Sequence, residues 1–257
     1  MRSLLASCAI AFSTYSRLPM PQVDWNEKNM RHTLAFLPLV GAAVGLIFWL
    51  VYTFTYLLGF GGVLRAALLT AVPLVVTGGI HMDGYCDTVD ALSSHAPREK
   101  KLQILKDPNA GAFAVIWCGL WLLVYFGFMT QCGSREIGTV AAGFILTRAF
   151  SAFAVDRLPS AREGMGAVLK KGSKFPFWML LLYMAVYGLL VFCWGDPLEG
   201  GIALFVLMGF YFIYRHMAMK EFGGFTGDLA GWYLQVEELL LLATVVIVER
   251  VCAIWCW

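Results

Sequence analysis

Apolar runs of membrane-crossing length alternate with short polar segments along nearly all of this 257-residue chain. A helix needs roughly 17 to 25 predominantly apolar residues to cross a hydrocarbon core. Runs of that kind recur at about 34–58, 64–80, 112–130, 137–155, 175–194, 200–217 and 235–256. The period-two alternation of a membrane barrel is missing, so each span is expected to be a helix that satisfies its own backbone groups. The pattern predicts an all-α fold: a polytopic membrane bundle of about seven transmembrane helices, one domain over 1–257 with no internal repeat and no linker. Composition agrees, since 60% of residues are hydrophobic and only 14% charged, with a mean hydropathy of +0.71.

Basic residues set the expected orientation, because loops rich in Lys and Arg stay in the cytoplasm. The stretch up to Arg31 holds Arg2, Arg17, Lys28 and Arg31, and the 84–111 loop holds Arg98, Lys100, Lys101 and Lys106. Arg157, Arg162, Lys170, Lys171 and Lys174 lie in the 156–174 loop, and Arg215 and Lys220 in the 215–234 loop. The alternate loops and the C-terminus hold only Arg65, Arg135 and Arg250, while Arg148 falls inside a span. This split implies an N-in, C-out chain with its long polar loops on the cytoplasmic side. The N-terminal "MRSLLASCAIAFSTYSRLPMP" has a short apolar part and no strong cleavage site, and is expected to be a retained interfacial helix. A net charge of +2, without basic clusters interleaved with aromatics, points away from nucleic acid. The cysteines at 8, 86, 118, 132, 193, 252 and 256 form no CxxC pair and read as small hydrophobes of the core.

The polar islands carry the chemistry. In "TGGIHMDGYCDTVDAL" (77–92), Asp83, Asp87 and Asp90 stand at i, i+4 and i+7, one face of a helix. Three stacked carboxylates repel one another, and a cation between them relieves the repulsion. Oxygen ligands favour hard ions such as Mg²⁺, Mn²⁺ or Ca²⁺. The competing reading is capping by Asp83 or Asp87 with Asp90 solvated. His81, two residues earlier, is a candidate ligand, proton-transfer group or supporting donor.

On the same loop, Arg98, Glu99, Lys100 and Lys101 read as a solvated helix face. Lys106 precedes the turn "DPNAGAF" and can meet a phosphate as a point charge. In "KEFGGFTGDLAGWYLQVEE" (220–238), Gly223, Gly224 and Gly227 allow close backbone approach to an anion, and Asp228 comes directly after them. Glu237 and Glu238 enter the last span, where carboxylates need a polar interior or a metal, and Arg148 within its span needs an anionic partner.

Together these residues resemble the cobalamin synthase family, the adenosylcobinamide-GDP ribazoletransferases. The resemblance rests on "SRLPMP" (16–21), "TGGIHMDGYCDTVDAL" (77–92), "ILKDPNAGAF" (104–113), "LTRAF" (146–150), "REGMGAVLKKG" (162–172) and "GGFTGD" (223–228), spread in order over nearly the whole chain. It implies a multi-pass enzyme of the bacterial cytoplasmic (inner) membrane with its active site facing the cytoplasm. The implied reaction transfers the cobinamide phosphoryl group from adenosylcobinamide-GDP to α-ribazole or its 5′-phosphate, releasing GMP, with Mg²⁺ as cofactor.

By analogy with the CDP-alcohol phosphotransferases, Asp83 and Asp87 are implied metal ligands, and Asp90 a third ligand or the general base. Asp228 and Glu238 extend the implied metal set, with His81 beside the catalytic aspartates. Arg17, Lys106, Arg148, Gly223, Gly224 and Asp228 are implied substrate contacts. The family pattern also places a carboxylate near Gln235, where this chain departs from it. Membrane lipid is an expected partner, and a homo-oligomer is compatible with the sequence. An ion-coupled secondary transporter is the rival reading, since intramembrane acids and an arginine suit it. Against it stand the gathering of acids at cytoplasmic helix ends and the lack of a repeat.

Overall fold

The computed structural model describes residues 2–255, so Cys256, the last residue of the span expected at 235–256, lies outside it. The chain forms α1 (Arg2–Tyr15), α2 (Glu27–Met30), α3 (Thr33–Leu57), α4 (Gly62–Thr77), α5 (Ile80–Ser93) and α6 (Arg98–Ile104). It continues with α7 (Ala112–Met129), α8 (Ser134–Arg157), α9 (Met165–Gly172), α10 (Phe177–Trp194) and α11 (Pro197–Met217). A π-helical turn (Ala218–Phe222) and α12 (Gly227–Trp255) complete it. The all-α expectation holds, and the sole β feature among the described residues is one isolated bridge between Ser160 and Phe225.

Five helices are long and apolar enough to cross a membrane: α3, α7, α8, α10 and α11 with its π-turn. α4 and α5 form a sixth only as a bent pair, turned by 92° at their junction. Gly78 and Gly79 both have positive φ, +67° and +78°, a conformation glycine adopts without penalty. They end the apolar run and swing the aspartate helix across the end of the bundle instead of along α4. The seventh expected span, in α12, is not among those five. Its middle carries Glu237 and Glu238 and is buried inside the protein.

α8 is the central post, buried along most of its length and packed by α3, α10, α11 and α12. Between helices in lipid the hydrophobic effect gives little attraction, so contact depends on small residues that let backbones approach. Gly41 and Gly45 of α3, spaced as GxxxG, meet the carbonyls of Phe144 and Ala141, and Gly138 of α8 meets that of Trp194. Gly143 is filled against by the Leu241 side chain of α12. This packed post fixes α12, and α12 in turn carries α5.

Candidate active site at the end of the bundle

Two glycines bring the aspartates together. A Cβ on Gly84 of α5 would stand 2.7 Å from the Asp228 carbonyl oxygen, and one on Gly231 of α12 would stand 3.0 Å from the His81 carbonyl. The helices therefore cross backbone to backbone, and the crossing brings Asp228 near Asp83 and Asp87. Asp83 is exposed and Asp87 half-buried. Burial first, and then the charges of Asp83, Asp228 and Asp90, push the Asp87 carboxyl up to about 6. Burial also raises Asp228, against the opposing pull of Arg162.

Arg162 Nη2 donates to Asp228 Oδ2 at 2.5 Å, and the Thr226 hydroxyl donates to the same oxygen at 3.2 Å. Arg162 reaches this position through a short two-stranded contact: Phe225 N donates to Pro159 O at 2.8 Å, and Ala161 N to Phe225 O at 2.9 Å. Gly224, at φ +157°, lies against the Pro159 carbonyl, so a side chain there would push the two segments apart. Gly223, at φ +81°, turns the chain out of the π-turn. Neither glycine is open on all sides to cradle an anion as the sequence suggests; both shape the loop that presents Asp228.

Arg17 joins the site from the other end of the chain. Its backbone N–H donates to Val76 O at 2.8 Å, and its side chain lies over Gly78, where a Cβ would stand 2.5 Å from Nε. Lys106 is exposed on the segment after α6. Beneath the aspartates, His81 is buried and stacks on Tyr15 with ring centroids 5.9 Å apart, its Nε2 without a partner.

The competing capping reading fails, since the N-cap of α5 is Gly79 and neither Asp83 nor Asp87 holds that position. Asp90 is not solvated: its Oδ2 accepts from Gly111 N at 2.6 Å and its Oδ1 from Ala114 N at 2.9 Å. Those N–H groups have no partner inside the helix at the start of α7, so Asp90 supplies a cap from another helix. Both of its oxygens are thereby tied to α7, while those of Asp83 and Asp87 are not. Arg148 and Glu238 are also elsewhere. Arg148 Nη1 donates to Glu238 Oε1 at 2.8 Å, with the two side chains 0% and 1% exposed. Ten residues of helix separate Glu238 from Asp228, about 15 Å along the axis. Gln235 is buried beside this pair's helix turn, its Oε1 unpartnered and its carbonyl accepting from Trp121 Nε1 at 3.1 Å.

The site thus gathers Asp83, Asp87, Asp228 and Arg162, with Arg17 at the glycine turn that starts the aspartate helix. Spacing singled out Asp83 and Asp87, the glycine-rich loop Asp228, and the family resemblance Arg17, while the only signal for Arg162 was its place in "REGMGAVLKKG". Among the described residues, no three acidic, His or Cys side chains are gathered closely enough to cage a metal ion by themselves. The donor type still suits a hard divalent cation. Asp83 and Asp87 offer only oxygen, Arg162 only partly offsets the repulsion at Asp87, and Mg²⁺ commonly takes one or two carboxylates and completes its shell with water and substrate phosphates.

A family model described as cobalamin-5-phosphate synthase matches residues 7–246. An adenosylcobinamide-GDP ribazoletransferase of Lachnoclostridium phytofermentans is 39% identical over 96% of this chain and 95% of its own. One from Clostridium perfringens strain 13 is 30% identical over 95% of this chain and 100% of its own. One from Desulfitobacterium hafniense is 31% identical over 91% and 93%. No solved structure matches.

Proposed function

The chain belongs to the cobalamin-5-phosphate synthase family, transferases of cobalamin synthesis, and from that premise we propose how its site works. Its substrates are adenosylcobinamide-GDP and α-ribazole or the 5′-phosphate of α-ribazole. A ribazole hydroxyl oxygen attacks the cobinamide-side phosphorus of the diphosphate. The new P–O bond forms as the bond to GMP breaks, and the hydroxyl proton leaves the nucleophile.

Such transfers run through a loose transition state, so the protein's main tasks are to position reactants and stabilise charge. Bound between Asp83 and Asp87, a Mg²⁺ ion would neutralise charge on the phosphoryl oxygens and the leaving group. Arg162, paired with Asp228 beside those carboxylates, and Arg17, at the Gly78 turn that starts their helix, orient the diphosphate, the guanidinium fork suiting phosphate oxygens. Lys106 adds an exposed point charge. Asp228, raised by burial, takes the hydroxyl proton, which a carboxylate with an ordinary pKa would hold more weakly. Asp90 contributes by holding the start of α7. The excess of basic residues in the loops at this end supports a site on the cytoplasmic side.

The observation that carries this reading is the crossing of α5 and α12 at Gly84 and Gly231, which sets Asp228 on the Asp83–Asp87 face. The test is GMP release by the purified protein in detergent. It should require adenosylcobinamide-GDP, a ribazole acceptor and Mg²⁺ together. Release without an acceptor, or equal release by Asp83→Asn, would remove the proposed chemistry from this face.

A further inference from the structure

α6 reads in the sequence as a solvated charge run, yet two of its basic residues are occupied by a single neighbour. Arg98 and Lys101 stand at i and i+3 on one face, and that face meets the π-turn. Lys101 is 6% exposed and forms an ion pair with Glu221 of the π-turn. Arg98 Nη2 donates to the carbonyls of Met219 at 3.3 Å and Lys220 at 3.4 Å. Its guanidinium also lies over Gly223, where a Cβ would stand 2.7 Å from Nη1.

The physical need for this contact is local. A π-turn is a wide, weakly bonded turn that concentrates at functional sites. The Met219 carbonyl already accepts from Gly223 N at 3.1 Å; Arg98 adds a second donor there, and the dipole at a helix C-terminus favours a cation. Without an outside hold, the turn could rewind to an α-helical register and rotate the chain beyond it. Gly223, Gly224 and, at the start of α12, Asp228 would all move with that rotation.

We infer that the α6 face formed by Arg98 and Lys101 is a latch on the π-turn, and that Lys101 and Glu221 are positioning residues which keep Asp228 in register with Asp83 and Asp87. The latch closes a ring. α5 carries the aspartates, α6 comes after α5 and grips the π-turn, and the π-turn leads to Asp228, which rests on Gly84 of α5. Neither Lys101 nor Glu221 touches the reacting atoms; they act through the loop. Their effect on turnover rests on the transferase reading above, whereas the hold on the loop does not.

The test compares Lys101→Glu, Glu221→Lys and the double exchange with the native protein in detergent. Amide hydrogen exchange over residues 218–228 and the kcat and KM of GMP release are both read. Each single variant should speed exchange in 218–228 and lower kcat on the order of 10- to 100-fold, the scale of loss expected from a misplacement of about 1 Å. KM for adenosylcobinamide-GDP should change little, and the double exchange should restore both readouts. Lys100→Glu, the same charge change on the exposed face, should alter neither.

Fast exchange with undiminished kcat would overturn the positioning role. Lost kcat with native exchange, or a raised KM that the double exchange fails to restore, would make Lys101 a direct substrate contact and also overturn it. A native protein that releases no GMP would instead sink the transferase reading, with the exchange data alone then deciding whether the latch holds the loop.

Discussion

Two acidic groups on one helix face opposite circumstances. At the start of α12, Asp228 lies half-buried beside Asp83 and Asp87, paired with Arg162 at the open end of the bundle. Farther along, Glu237 and Glu238 are sealed inside with Arg148, near the stacked rings of Tyr214 and Tyr233, whose centroids are 4.1 Å apart. In the inner group Glu238 holds Arg148, which locks α8 to α12, while both oxygens of Glu237 stay without a partner. In the outer group carboxylates also outnumber local cations, but there solvent reaches them, which leaves room for a cation and a phosphate. The same residue types therefore serve as a strut in one place and as a site in the other, and solvent access decides which.

Breaking the inner group should have the largest effect. Arg148→Met strands Glu238 without its partner, and loss of one member of a buried pair costs about 3–5 kcal/mol. Thermal unfolding in detergent should show this, and adding Glu238→Met should recover most of it. Recovery of stability would confirm the strut; a double variant as unstable as the single would deny it.

The outer group should respond in the reverse way. Asp87→Asn should lower kcat on the order of 10²–10³-fold, the loss typical of removing one electrostatic stabiliser. Its unfolding midpoint should hold or rise, because Asp87 is destabilised by the carboxylates around it. A large fall in the midpoint would put Asp87 with the struts.

Gly84→Ala sharpens the comparison by separating the aspartates without changing any charge. The added Cβ would stand 2.7 Å from the Asp228 carbonyl oxygen. Overpacking of this kind costs about 1–3 kcal/mol. Turnover should fall with stability, and native turnover would show that the crossing of α5 and α12 does not set the chemistry.

The smallest effect is expected at Asp90, the member of the stripe that behaves as a strut. Asp90→Ala should cost about 1 kcal/mol, the usual worth of a helix cap. The Mg²⁺ concentration giving half-maximal rate should stay the same. A marked rise in that concentration would return Asp90 to the metal-binding face.

The features legible in the chain were those that depend on neighbours a few residues away. Apolar run length marked the helices, and the i, i+4, i+7 spacing put the aspartates on one face; the break at Gly78 and Gly79, inside the span expected at 64–80, was not read. Partner choice was not legible, because it joins residues far apart in sequence. Arg162 meets Asp228 across 66 positions, Arg148 meets Glu238 across 90, and Lys101 meets Glu221 across 120. Asp90 finds its two N–H donors on α7, 21 and 24 positions on. Periodicity states which side of a helix a charge occupies, and nothing about which helix will lie against that side. The sequence by itself determined a membrane-embedded helical transferase with its acids on one helix stripe. Only the tertiary structure, through glycine-permitted backbone contacts and the pairing of distant charges, decided which of those acids remain available for chemistry and which hold the bundle together.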